Sequence, residues 1–258
     1  MAKLLKKLLF VAAVIIFSAT LVHAEKVRVG FSAEPYPPFY APDASGDWSG
    51  WEIEIIEAVC DEANLECELA PTAWDGIIPA LKSKKIDMIM GSMSITKERQ
   101  KRIDFSKKYY KTPTIIVGSK RLDFDATPEG LKGKILGVQR ATVHAAYAHK
   151  HFPGAKIKAY QTQDEINQDL ISGRIDATQA DALAIKSFLE TDAGKACCEI
   201  KGKVADDPAV LGKGIGVGLR KDDDKLKAKI NDAIVTIREN GTYDEISEKY
   251  FDFDIYGE

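Results

Sequence analysis

Apolar and polar positions change period repeatedly along this chain, and the changes predict its elements. Val27-Arg28-Val29-Gly30-Phe31 reads as a first strand. The Pro35-Tyr36-Pro37-Pro38-Phe39 stretch after it has to be a loop, because proline fixes φ and removes donors. Ile53, Ile56, Val59 and Ala63 then recur at helical spacing, followed by the strand-like Leu65-Glu66-Cys67-Glu68-Leu69. Asp75 is placed to cap a short helix running to about Leu81, and Ile86 to Met90 reads as a buried strand. Thr96 caps the next helix, and Thr114-Ile115-Ile116-Val117 is another strand.

From Leu131 the same grammar begins again. Lys134 to Val138 is a strand, Arg140-Ala141-Thr142 a turn, and Val143 to His151 a helix. Thr162 with Glu165 makes a capping box that opens a helix stopped by Gly173. Ile175 to Thr178 is the next strand, and a helix follows from Asp181. Ile215 to Leu219, threaded with glycines, precedes two helices separated at Asn240-Gly241. Strands alternating with helices predict an α/β protein with largely parallel sheets. Lys85-Ile86-Asp87 and Arg174-Ile175-Asp176 echo each other and point to two lobes of similar construction. Ligands of such sheets collect at the carboxyl ends of the strands. Ser92, Ser94, Thr96 and Arg99 fall there, as do Arg140, Thr142, His144 and Asp181.

The first residues follow a different rule. Lys3, Lys6 and Lys7 precede an unbroken apolar run from Leu8 to Phe17, which softens through Ser18, Ala19 and Thr20 to Val22-His23-Ala24. This is the pattern of a secretory signal peptide, with the cut after Ala24, and the run is short for a spanning helix. The 258 residues are 45% hydrophobic and 29% charged, enough for one or two globular domains. Without the leader, 33 basic residues face 39 acidic ones. That balance disfavours nucleic acid or anionic lipid as a partner, since both are bound through clustered Lys and Arg.

Export also changes how the four cysteines read. Cys60 and Cys67, seven apart across a change of chain direction, favour a disulfide over two thiols. For the adjacent Cys197 and Cys198, a strained vicinal bridge and two thiols stay equally open. No histidine lies at ligand spacing from either pair, so no metal is expected. The chain has no Gly-x-Ser-x-Gly elbow, phosphate loop or His-Glu-x-x-His, and no cofactor is called for.

Candidate chemistry centres on Arg99. Its guanidinium offers a planar fork to a carboxylate at the start of a helix whose free amides add a second anion-binding element. Ser92, Ser94 and Thr96 supply hydroxyls beside it. Asp181 brings the opposite charge from the other half of the chain, although capping its own helix is the ordinary use of such a residue. Together Arg99 and Asp181 make a receptor for a zwitterion, which fits an α-amino acid. Tyr36 and Trp74 are loop aromatics, more often used in packing, that can hold an aliphatic stem or a cation. Glu34 and Glu52 can neutralise a basic side chain, and His144 is the one histidine near the cleft.

These pieces resemble the periplasmic polar amino-acid-binding proteins of ABC importers, the lysine/arginine/ornithine-, histidine-, arginine- and opine-binding group. The resemblance runs through the mature chain. It rests on Tyr36-Pro37-Pro38-Phe39, Trp74 to Leu81, Ser92-Met93-Ser94-Ile95-Thr96 with Arg99, Gly173-Arg174-Ile175-Asp176 with Asp181, Gly216 to Lys221, and Gly241-Thr242-Tyr243. It implies a type II periplasmic-binding-protein fold, two α/β lobes joined by two hinge strands. Residues 25–113 and 214–258 would form lobe one and 114–213 lobe two. Arg99 would grip the α-carboxylate, with main-chain amides near Ser94 and Thr142. Asp181 would take the α-ammonium with the Ser92 carbonyl and Ser94 hydroxyl, and Tyr36 and Trp74 would sandwich the side chain. The Cys60–Cys67 spacing matches a disulfide of basic amino-acid binders. A monomeric receptor would hand a free L-amino acid, basic or polar, to a membrane permease.

Departures bear on specificity. Ala33 stands where basic amino-acid binders carry an acid, with Glu34 one place later, and Gly91 stands where a serine is common. Arg140 and His144 add positive charge to a loop usually small or amide-bearing, which would suit an opine or an acidic derivative. The scaffold also hosts cyclohexadienyl dehydratase-like enzymes, for which Glu34 or His144 would be the nearest acid or base.

Overall fold

The computed structural model describes residues 25–257. The leader read over residues 1–24 lies outside them. In chain order the elements are β1 (Glu25–Ser32), β2 (Ala41–Pro42), β3 (Trp48–Ser49), α1 (Trp51–Glu62), β4 (Leu65–Thr72), α2 (Ile77–Lys82), β5 (Met88–Ile89), α3 (Lys97–Gln100) and β6 (Asp104–Tyr110). They continue with β7 (Thr114–Ser119), β8 (Ile135–Gln139), α4 (Val143–His151), β9 (Lys156–Tyr160), α5 (Gln163–Ile171), β10 (Ala177–Asp181), α6 (Ala182–Leu189), α7 (Asp192–Cys197) and β11 (Cys198–Lys203). The last are α8 (Pro208–Leu211), β12 (Ile215–Leu219), α9 (Asp224–Glu239) and α10 (Thr242–Ser247).

Two five-stranded sheets form the two lobes, one in the order β4-β1-β5-β12-β6 and the other β11-β7-β10-β8-β9. Both are mixed. β1 runs parallel to β4 and β5, and β8 parallel to β9 and β10, whereas β12 is antiparallel to β5 and β6, and β7 antiparallel to β10 and β11. The expectation of largely parallel sheets is thus met in half of the pairings. The rest follow from the chain path. β6 leads out of the first sheet and β12 leads back into it, so neighbours that carry the chain in opposite directions pair antiparallel.

Helices cover the sheets through apolar faces. α1 buries Trp51, Ile53, Ile55, Ile56, Val59 and Cys60, and its Trp51 indole N–H donates to the Ser247 hydroxyl at 3.0 Å. α9 packs on the same core through Leu226, Ile230, Ala233, Ile234 and Ile237. Cys60 is joined to Cys67, which ties the end of α1 to β4, and Cys197 is joined to Cys198 where α7 passes into β11. Thr96, Thr142 and Thr162 cap α3, α4 and α5 with their side chains, the last within a complete capping box. Asp75 departs from expectation. It sits inside a tight turn at Trp74–Gly76, α2 is capped by Gly76 without a side-chain bond, and the Asp75 carboxylate reaches Arg140 of the other lobe at 2.7 Å.

Candidate functional site

The carboxyl ends of β1, β4, β5, β8 and β10 face one another across a cleft, and the segments leaving them wall a cavity with about 590 Å³ of space between protein atoms, part of it open to solvent. Of the residues singled out in the sequence, Glu34, Tyr36, Trp74, Ser92, Ser94, Arg99, Thr142, His144 and Asp181 line it. Thr96 and Arg140 do not, and neither does Glu52. It is fully buried behind the wall, and its carboxylate takes the Ser92 N–H and the Ser92 hydroxyl, each at 2.8 Å, together with the Tyr109 hydroxyl.

Local backbone explains how the loops reach inward. Ser92, just past β5, has φ 57°, and Ala141, just past β8, has φ 60°. Left-handed backbone at a residue with a Cβ costs on the order of 1–2 kcal/mol and persists where the surroundings enforce it. At Ser92 the enforcing group is Glu52. At Ala141 the turned carbonyl accepts from the Trp74 indole N–H and from Arg99 Nη2, both at 3.3 Å and both from the opposite lobe. Gly91 has no room for the serine that its position suggests, because a Cβ there would stand 2.8 Å from Phe31 Cα.

Arg99 extends from α3 with Nη1 donating to the Ser94 carbonyl at 3.1 Å and its guanidinium 5.5 Å from the centre of the Trp74 ring. Burial lowers its pKa to about 10 while the Asp181 charge pulls it back up, so it is cationic at neutral pH. Asp181 occupies the N-cap position of α6 but makes no capping bond with its side chain. Its Oδ2 instead accepts from the Tyr36 hydroxyl of the opposite lobe at 2.7 Å, and its Oδ1 lies 3.5 Å from His144 Nε2. Burial, then the charge of Asp181, holds the Tyr36 phenol well above its ordinary pKa, so it stays a donor. His144 is itself buried, with Nδ1 unpartnered.

Glu34 reaches the wall and its carboxylate accepts from the Ser32 hydroxyl. Arg140 does not line this cavity, since its charge is spent on Asp75 at the rim. Ser32, Tyr40, Gln139 and Gln163 also line it and were not singled out in the sequence. Gln163 follows β9, a strand that the apolar pattern does not show. Among the described residues no cluster of His, Cys, Asp and Glu could hold a metal ion.

Two carboxylates, one guanidinium, and hydroxyl and amide groups thus face one cavity from two lobes. The chain belongs to the bacterial extracellular solute-binding proteins, family 3, whose model matches residues 27–253. It is 39% identical over 241 residues to the L-arginine-binding protein of Pseudomonas aeruginosa, covering 92% of each chain. It is 39% identical over 246 residues to the histidine-binding periplasmic protein of Salmonella typhimurium, covering 93% of this chain and 94% of that one. Among solved structures it is similar to an ancestral arginine-binding protein bound to glutamine, at a TM-score of 0.80 and 34% identity, over 89% of this chain and 99% of that one.

Proposed function

We propose that this chain is the exported receptor of an amino-acid ABC importer, a monomer that closes around one basic L-amino acid and delivers it to a membrane permease. The observation that carries the reading is the placement of Arg99 and Asp181, from opposite lobes, on one cavity. Arg99 takes the α-carboxylate, with amides near Ser94 and Thr142. Asp181 takes the α-ammonium with the Ser92 carbonyl and the Ser94 hydroxyl. Tyr36 and Trp74 flank the side chain, and Glu34 supplies the charge that a basic side chain needs. Each lobe contributes half of these contacts, so ligand binds the closed state more tightly and shifts the population to it. Residues 25–113 with 214–258, and 114–213, are the two bodies that move. Residues 1–24 are the leader, cut after Ala24.

The names of the relatives, which bind arginine and histidine, support the basic class. The pairing of Arg140 with Asp75 takes away the extra positive charge that an opine or acidic derivative would use. One arrangement favours a second reading, an enzyme of the dehydratase kind: His144 faces Asp181 within the cavity and could move a proton there. A thermal-shift screen of the mature protein, unfolded and refolded to strip carried-over ligand, tests both. Arginine, lysine, ornithine or histidine at a hundred times its dissociation constant should stabilise the protein by about 2.7 kcal/mol. No shift with any amino acid sinks the receptor reading, and a shift with prephenate followed by its turnover establishes the enzyme.

A further inference from the structure

We infer that Glu52, which never touches the cavity, is a positioning residue of the binding site and that ligand affinity requires its carboxylate to be ionised. The inference rests on the receptor reading above and on the geometry beneath Ser92. Both Glu52 oxygens are spent on neutral donors: Oε1 on the Ser92 N–H and the Tyr109 hydroxyl, Oε2 on the Ser92 hydroxyl. These bonds hold Ser92 at its positive φ, the conformation that presents this segment to the cavity. An ionised carboxylate accepts all three. A protonated one has a donor of its own to place, and the Ser92 or the Tyr109 hydroxyl has to receive it and turn its own proton elsewhere. Protonation therefore breaks the three-bond arrangement beneath Ser92 without moving any residue that meets the ligand's carboxylate.

The charge of Glu52 also counts. The titratable groups that face it are Tyr109 and Tyr110 on β6, Tyr36 and Tyr40 on the loop after β1, and Asp181 across the cleft. The four phenols are all held well above their ordinary range by burial and stay protonated. Burial raises the Glu52 carboxyl to about 7, against the pull of the Tyr109 and Ser92 hydrogen bonds, and the negative Asp181 raises it further. An ammonium seated on Asp181 removes that last repulsion and adds an attraction. Binding then lowers the Glu52 pKa, a proton leaves, and affinity falls as the pH falls through neutrality.

Calorimetry of L-arginine binding between pH 6 and 7.5, in buffers of different ionisation heat, reads the released proton directly. The guanidinium of this probe does not titrate in that range. The wild-type protein should release up to about half a proton at pH 7. Its affinity should be about fourfold weaker at pH 6 than at pH 7.5 for a one-unit fall in the Glu52 pKa on binding. In E52Q both the released proton and the pH slope should vanish. Tyr109 does not line the cavity, and its hydroxyl donates to Glu52, so Y109F, which removes one bond that favours the ionised carboxylate, should keep the release and move it to higher pH. Wild-type binding with no linked proton, a release that survives in E52Q, or a release whose pH profile is unmoved in Y109F overturns the inference alone. Should E52Q fail to fold, the wild-type and Y109F measurements still decide it. Absence of amino-acid binding in the wild type overturns the receptor reading and the inference with it.

Discussion

Arg99 keeps its charge in a confined place because Asp181 faces it from the other lobe and because the Ser94 and Ala141 carbonyls accept its N–H groups. Removing that charge leaves the ligand carboxylate with neutral donors only. Arg99→Ala should therefore weaken binding at least about 100-fold, the order expected for a lost charge-assisted pair, with little change in the melting temperature of the unliganded protein. Calorimetric titration against arginine together with a melting curve checks it, and retained affinity would defeat the assignment. At this scale the sequence was half legible. The Thr96 cap and the Arg99 beside it could be read locally. Asp181 could not, because a carboxylate at a strand-to-helix junction has capping as its ordinary use, and what frees it is a tyrosine 145 positions away. Glu52 reads as a partner for a basic side chain, but its carboxylate is taken by Ser92 and Tyr109, and nothing in the sequence around it announces that they will be brought to it.

The elements were most legible where they are central or capped. β1, β5, β7, β8, β10 and β12 announce themselves by apolar runs, and all of them lie inside their sheets. β6, β9 and β11 do not, and each is an edge strand: DFSKKYY, KIKAY and CEIKGK. Lysines that protect an edge from pairing with another chain also dilute the pattern by which a strand is recognised. The bridge between α1 and β4 belongs to this scale too. Closing a loop of seven residues removes conformational freedom from the unfolded chain, so the double variant Cys60→Ser, Cys67→Ser should lose about 2–3 kcal/mol in denaturant unfolding. An unchanged midpoint would mean that the bridge carries no stability.

Between the lobes, Leu183 and Ala184 of α6 pack on the apolar core of the first lobe, and polar contacts bridge the cleft. Arg140 meets Asp75, the Ala141 carbonyl receives both Trp74 and Arg99, Tyr36 meets Asp181, and the Ser187 hydroxyl donates to the Pro37 carbonyl at 3.3 Å. The ion pair at the rim is half exposed on both sides, worth about 0–1 kcal/mol. Asp75→Asn should open the unliganded protein, raise its radius of gyration in small-angle scattering and weaken ligand by at most about fivefold, and added salt should mimic it in the wild type. A variant that binds and scatters like the wild type at low salt would show that the rim pair does not bias closure.

The strand order has a consequence for how this molecule is made. β12 lies between β5 and β6, so the first sheet lacks an interior strand until residue 219 has been synthesised, by which time every strand of the second sheet has already emerged. A nascent chain of this kind cannot complete its leading half early, however fast that half would fold once whole. For a chain exported as proposed above, late completion keeps the leading end pliable while the rest is still being translated. The same interleaving that joins the two sheets thus also times their assembly.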